Sequence, residues 1–215
     1  MAWKPEPGMG DPGVSWMAQA KSLEFFLEYI EGRDLHSVDE LGKNALFGAT
    51  ANSDPTARYQ ITSWLLDHGV DPLGSKYKDT TVLHNLFNRG DRDPVRDAEL
   101  LRRLLEAAAD INKSVPDYGR PLAFLMTRME ARLETDRPFF DIMFSRPDLD
   151  LVARSKINGE SFAARILRMV KPQERFRVKM PDSPIEGMLR QSLLAQGHDP
   201  DVILAQVAGS GGGSN

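Results

Sequence analysis

The residues best suited to chemistry are few, and they raise one sharp question. The stretch TTVLHNLF, Thr80 to Phe87, places a histidine inside an apolar run, and the chain has only four histidines. An imidazole there could act as a general base, bind a metal or hold the backbone. As a metal ligand His84 lacks partners, because i+3 and i+4 are Phe87 and Asn88 and neither is a His or an acid. Thr81, three positions earlier, carries a hydroxyl that can cap a helix start and reach a ring nitrogen. The spacing therefore predicts a structural role for Thr81 and His84. His36, His68 and His198 are scattered, and His68 beside Gly69 and His198 in AQGHDP sit where a helix end would favour a charged imidazole.

Other chemistries have no footing in the sequence. With no cysteine, disulfides, thiolate metal sites and a cysteine nucleophile are excluded. No serine sits in a G-x-S-x-G elbow, and LGKN at Leu41 lacks the preceding glycine of a phosphate-binding loop. Asp91 and Asp93 in RGDRDP read as turn formers, and Glu24, Glu28 and Glu31 as a solvated helix face. The expectation is a non-enzyme with no metal and no cofactor. Lys and Arg number 27 against 31 Asp and Glu, a net charge of -4, which offers nucleic acid no general basic field. The leader MAWKPEPGMGDPG has prolines and glycines where a signal peptide needs an apolar core, and no run approaches the ~18 apolar residues of a membrane span. A cytoplasmic protein is expected.

The elements that must position these residues recur along the chain. DELGKNALFGA from Asp39, YKDTTVLHNLF from Tyr77 and DYGRPLAFLM from Asp117 each join a turn to a short apolar helix. A second apolar helix follows each, in ITSWLLDHGVDP from Ile61, AELLRRLLEAAADIN from Ala98 and RPFFDIMFSRPDLD from Arg137. Gly42, Asp79, Gly119 and Gly159 lie 37, 40 and 40 positions apart. Leu100, Leu101, Leu104 and Leu105 form one broad stripe that a lone helix pair cannot bury, so stacking is required, at roughly 25 cal/mol per Å2 of apolar area. This predicts an all-α solenoid of helix pairs with repeats near 37–72, 75–112, 115–152 and 155–198. A capping helix over 14–31 buries Trp16, Leu23, Leu27 and Ile30. The leader 1–13 and the linker-like tail 206–215 lie outside the domain at 14–205. NSDPTARYQ, NRGDRDPVRD and RLETDRP read as long loops between paired helices. Gly69 suits a left-handed helix end, which Ala108 at the equivalent place adopts at greater cost.

These motifs resemble ankyrin repeats. Thr81-Val82-Leu83-His84 is similar to the family's helix start, with valine for proline, and Leu104-Leu105 followed by Ala109-Asp110-Ile111-Asn112 to its end. The first unit has Gly42, Asn44-Ala45-Leu46-Phe47, Leu65-Leu66 and Gly69-Val70-Asp71; the third keeps Asp117, Gly119, Pro121 and Leu122, and the fourth is weak. The family's units are shorter, and another helix-pair solenoid of longer period, without fingers between units, is the competing fold. The resemblance implies that Thr81 and His84 tie one repeat to the next and that fingers and first helices form a concave protein-binding face. On that face it places Lys76, Tyr77, Lys78, Asn85, Asn88, Arg89, Lys113, Tyr118, Arg120 and Arg128. Tyr77 and Tyr118 could serve as contact hot spots or pack along the neighbouring finger. The basic residues imply an acidic protein partner. The expected role is that of a monomeric interaction module, an immunity protein that blocks a toxin or enzyme, or alternatively a regulatory or scaffolding adaptor.

Overall fold

The computed structural model describes residues 11–74, 80–116, 118–127, 133–170 and 184–205. All regular elements among them are helices, so the fold is all-α. The chain divides into two compact units, Met1–Phe139 and Phe140–Asn215.

The first unit is built from two rows of helices. One row contains α1 (Val14–Ala20), α3 (Ala45–Thr50), α5 (Val82–Phe87) and α7 (Pro121–Met126), each packed on the next. The other contains α2 (Leu23–Ile30), α4 (Pro55–Asp67) and α6 (Pro94–Glu106), packed in the same succession, with α8 (Leu133–Ser145) leading into the second unit. The six-residue helices of the first row are too short to persist alone. They hold because every residue of α3 and α7 is buried. The predicted leucine stripe of α6 is likewise buried at all four positions.

Local chemistry fixes where each helix starts. Asn44 accepts from the Phe47 amide at 2.9 Å and Thr81 from the His84 amide at 3.4 Å, each relieving an unpaired donor of the first turn. Asp54 caps α4 through the Thr56 and Ala57 amides at 2.8 and 3.3 Å, and Asp93 caps α6 through Val95 and Arg96 at 3.1 and 3.0 Å. Pro55 and Pro94 follow these caps at the first helical position, where a missing amide hydrogen costs nothing. Of the segments predicted as long loops, NSDPTARYQ and the described part of RLETDRP are thus mostly helical, whereas NRGDRDPVRD is helical only from Pro94. Asp54-Pro55 and Asp93-Pro94 open α4 and α6 six and four residues before the predicted starts at Ile61 and Ala98. Pro138, by contrast, lies inside α8.

Two further expectations need correction. The amino-terminal cap is two helices, α1 and α2, broken at Lys21 and Ser22, since Lys21 takes an extended conformation at the end of α1. Ile30 is buried as expected, together with Val14, Met17, Ala18, Phe26 and Tyr29, while Leu23 and Leu27 are half-buried and Trp16 is 46% exposed. Ala108 enters the left-handed region at φ 66°, at the place equivalent to Gly69 at 73°. The amides of Val70 and Ala109 then return to the carbonyls of Leu65 and Leu104 at 3.1 and 2.9 Å, closing both helix ends alike.

Between helix pairs the described turns form narrow antiparallel bridges, Val38 with Asn44 and Val115 with Gly119 in the first unit. The second unit has a matching bridge between Arg154 and Ser161. There α9 (Phe162–Val170) packs against α10 (Pro184–Ala195) and α11 (Pro200–Leu204). Ser161 caps α9 through the Ala164 amide at 3.1 Å, and the Ala163 amide bonds the Leu151 carbonyl at 2.8 Å. No described helix is long and apolar enough to cross a membrane.

Candidate functional site

The Thr81–His84 pair is a joint between successive turns and helices. The Thr81 hydroxyl lies 2.8 Å from His84 Nδ1, and His84 Nε2 lies 3.1 Å from the Gly119 carbonyl, 35 residues further on. Only one neutral tautomer satisfies both contacts. Nε2–H donates to the carbonyl, which cannot donate back, and Nδ1 accepts from the hydroxyl. Burial pushes the imidazole below its ordinary pKa, against the opposing pull of the Gly119 carbonyl, so the ring is neutral near pH 7. Asn44 makes the corresponding joint one unit earlier, donating from Nδ2 to the Asp71 carbonyl at 2.9 Å. Gly42 and Gly119 sit at their turns with φ of 76° and 70°.

His84 faces a groove of about 650 Å3 on the first unit. The groove brings together Asn85, Asn88, Arg89 and Tyr118 from the predicted binding face. Asn85 is fixed by a 2.9 Å bond from Nδ2 to the Phe47 carbonyl, and Asn88 is exposed just past α5. Arg89 holds Asp91 through Nε and Nη2 at 2.9 and 2.6 Å, so the guanidinium plane is set by a two-pronged bond. The Asp91 carboxyl is drawn below the usual range chiefly by that bond. The Tyr118 ring packs edge-on against Phe124 at 4.9 Å, yet 44% of the residue stays exposed.

Lys113 and Arg120 lie beyond the groove lining. Lys113 is exposed on the turn after α6, and Arg120 precedes α7. Lys76, Tyr77, Lys78 and Arg128, together with the turn residues Asp79 and Asp117, fall outside the described residues. The groove also draws on Gln19 of α1, Lys43 and Phe47, which the sequence reading did not place on the binding face. Lys43 had a signal, since it precedes α3 at the base of a turn, but a single lysine beside a glycine offers no periodicity to follow.

A buried ionic joint also escaped the sequence reading. Arg58, fully buried in α4, donates from Nε and Nη2 to the two carboxylate oxygens of Asp97 in α6, both at 2.8 Å. It also donates to the carbonyls of Asn52 and Asp91 at 2.5 and 2.8 Å. Arg92 pairs with buried Asp136 of α8 through a single Nη1–Oδ1 contact and bonds the Phe87 carbonyl, which leaves Arg92 Nε and Asp136 Oδ2 buried without a hydrogen bond among the described residues. Arg58, Asp97 and Asp136 each occupy the fourth position of their helices. That shared register was the available clue.

Fold and site together define an all-helical chain of repeated helix pairs with a groove beside one row. No family model matches the sequence, and no curated protein matches it. Among solved structures it is similar to a functionally unknown protein from Leptotrichia buccalis, at 26% identity and a TM-score of 0.60, over 86% of this chain and 94% of that one. It also shares its fold with a chain in the structure of a predatory endopeptidase from Bdellovibrio bacteriovorus in complex with an immunity protein. That likeness has a TM-score of 0.53 at 15% identity, over 93% of this chain and 94% of that one.

Proposed function

We propose that the chain is a non-catalytic, monomeric protein-binding module, an ankyrin-like solenoid that docks an acidic partner in the groove beside α5 and acts as an immunity-type inhibitor. The observation that carries the reading is the groove itself. A floor tied by His84 and Asn85 presents a half-exposed tyrosine and polar side chains. That combination suits protein contact, where aromatic area on a fixed scaffold loses little entropy on binding. The Thr81–His84–Gly119 joint and the bridged turns support the ankyrin-like assignment. The solved endopeptidase–immunity protein complex supports the inhibitory role.

The test is co-expression and affinity capture with the proteins encoded beside this one, followed by an activity assay of the captured partner. An immunity protein abolishes that activity at one-to-one stoichiometry. A partner that binds and keeps its activity would replace inhibition with the adaptor reading. One observation favours that second reading: the second unit has its own groove of about 420 Å3, lined by Phe144, Asp148, Gln196 and His198 among others. An adaptor needs two such surfaces.

A further inference from the structure

Wholly within the second unit, the groove of about 420 Å3 lies between the last turn of α8, the turn that follows it and the end of α10. An adjoining hollow of about 250 Å3 shares Phe144, Ser145, Ser192 and Ala195 with it, so the two form one continuous cleft. Ser192 sits where they meet. Only 5% of the residue is exposed, yet its hydroxyl is not sealed from solvent and bonds no atom among the described residues. A buried helical hydroxyl ordinarily returns its hydrogen to a carbonyl one turn back. Thr50 does so, reaching the Leu46 and Phe47 carbonyls at 3.2 and 3.1 Å. Ser192 leaves its hydroxyl to the cleft.

The polar atoms around it are mostly acceptors. Gln196, one turn beyond Ser192 on the same face, spends Nε2 on the Leu149 carbonyl at 2.9 Å, which holds Oε1 in place as an acceptor. Ser145 spends its hydrogen on the Ile142 carbonyl at 2.8 Å and keeps its lone pairs. His198 adds a donor or an acceptor according to tautomer. The charged groups are engaged: Arg146 gives Nε and Nη2 to Asp148 at 2.8 and 2.9 Å, and Asp150 accepts from the Ala153 amide at 2.8 Å. A ligand therefore meets neutral oxygens beside carboxylates that disfavour an anion.

We infer that this cleft takes an arginine side chain of a partner protein, the guanidinium donating to Ser192 Oγ and Gln196 Oε1 and the methylene stem lying against Phe144 and Ala195. Arginine offers five N–H donors in one plane and no acceptor, and it is more weakly hydrated than an ammonium. A phosphate or carboxylate would meet oxygens with few hydrogens to give. A main-chain amide brings a single donor to several acceptors. The inference stands apart from docking beside α5, whose failure leaves it intact.

The test uses the full chain, labelled for NMR and titrated with a blocked Gly-Ser-Gly-Arg-Gly-Ser-Gly peptide, with versions carrying lysine or glutamine in place of arginine as controls. The arginine peptide is expected to shift the amide signals of Ser145, Asp148, Ser192 and Gln196 and to bind more tightly than either control. Ser192→Ala, which removes the hydroxyl and little else, should weaken it about fivefold, the worth of one hydrogen bond. Ser192→Leu, which fills the cleft, should abolish the shifts; where leucine disturbs the fold, Ser192→Ala carries the test alone. Equal affinity for the three peptides, shifts confined to other surfaces, or full affinity in Ser192→Ala would overturn the inference. Self-association of the free chain in sedimentation, abolished by Ser192→Leu, would overturn it too, by naming a second copy as the occupant.

Discussion

His84 works by staying neutral and doubly bonded. Truncation in His84→Ala removes the ring's bonds to the Gly119 carbonyl and the Thr81 hydroxyl, which keep only their backbone amide contacts, and is expected to cost about 1–3 kcal/mol, read from urea unfolding. The same ring sets a pH dependence. In the unfolded chain it takes up a proton near pH 6.5, and in the folded protein only at lower pH. As pH falls through that window the unfolded state binds more protons, so this contribution is complete above about pH 6.5 and lost below it. The melting temperature should therefore drop less between about pH 7.5 and about pH 5.5 in His84→Gln than in the parent protein; equal drops would place the titration elsewhere. The pairing of Thr81 with His84 was legible from three-residue spacing alone. Its third partner, the Gly119 carbonyl, was not, because a backbone acceptor 35 residues away leaves no mark in residue type.

Among the elements, the contact between α1 and α3 is the tightest. A Cβ placed on Gly48 would lie 1.9 Å from the Ser15 carbonyl oxygen, a backbone atom that cannot turn aside. Gly48→Ala should push the two helices apart and cost at least about 1–3 kcal/mol by overpacking, despite the better helix propensity of alanine. Thermal unfolding should register this as a lowered midpoint. At the end of α6 the sign reverses. Ala108 holds φ 66° with a Cβ that glycine lacks, so Ala108→Gly should stabilise by roughly 1 kcal/mol, checked by the same measurement. Helix order and period were readable because apolar stripes repeat, and the boundaries were not. Asp54-Pro55 and Asp93-Pro94 carry residue types that suit a turn and a helix start alike, so residue type alone did not separate the two until the capping bonds were seen. Gly48 was equally silent, since a glycine within an apolar helix says nothing of what crosses it.

At the scale of the whole molecule, periodicity reaches into the buried charges. Breaking the Arg58–Asp97 pair with Arg58→Met or Asp97→Leu should cost about 3–5 kcal/mol, because the remaining charge stays buried without its partner. The combined variant should recover part of that loss and not all, since the carbonyls of Asn52 and Asp91 still lose their donor. A double-mutant cycle in urea measures the coupling. The ionic joint also has polarity: Arg58 and Arg92 reach toward the carboxyl end, and Asp97 and Asp136 answer from it. Asp97 and Asp136 stand 39 positions apart, so excising residues 82–120 would bring Arg58 opposite Asp136 and join Thr81 directly to Pro121-Leu122. The chain is therefore editable in whole periods. A protein shortened this way should still melt cooperatively, whereas a cut of any other length would set a buried charge against nothing.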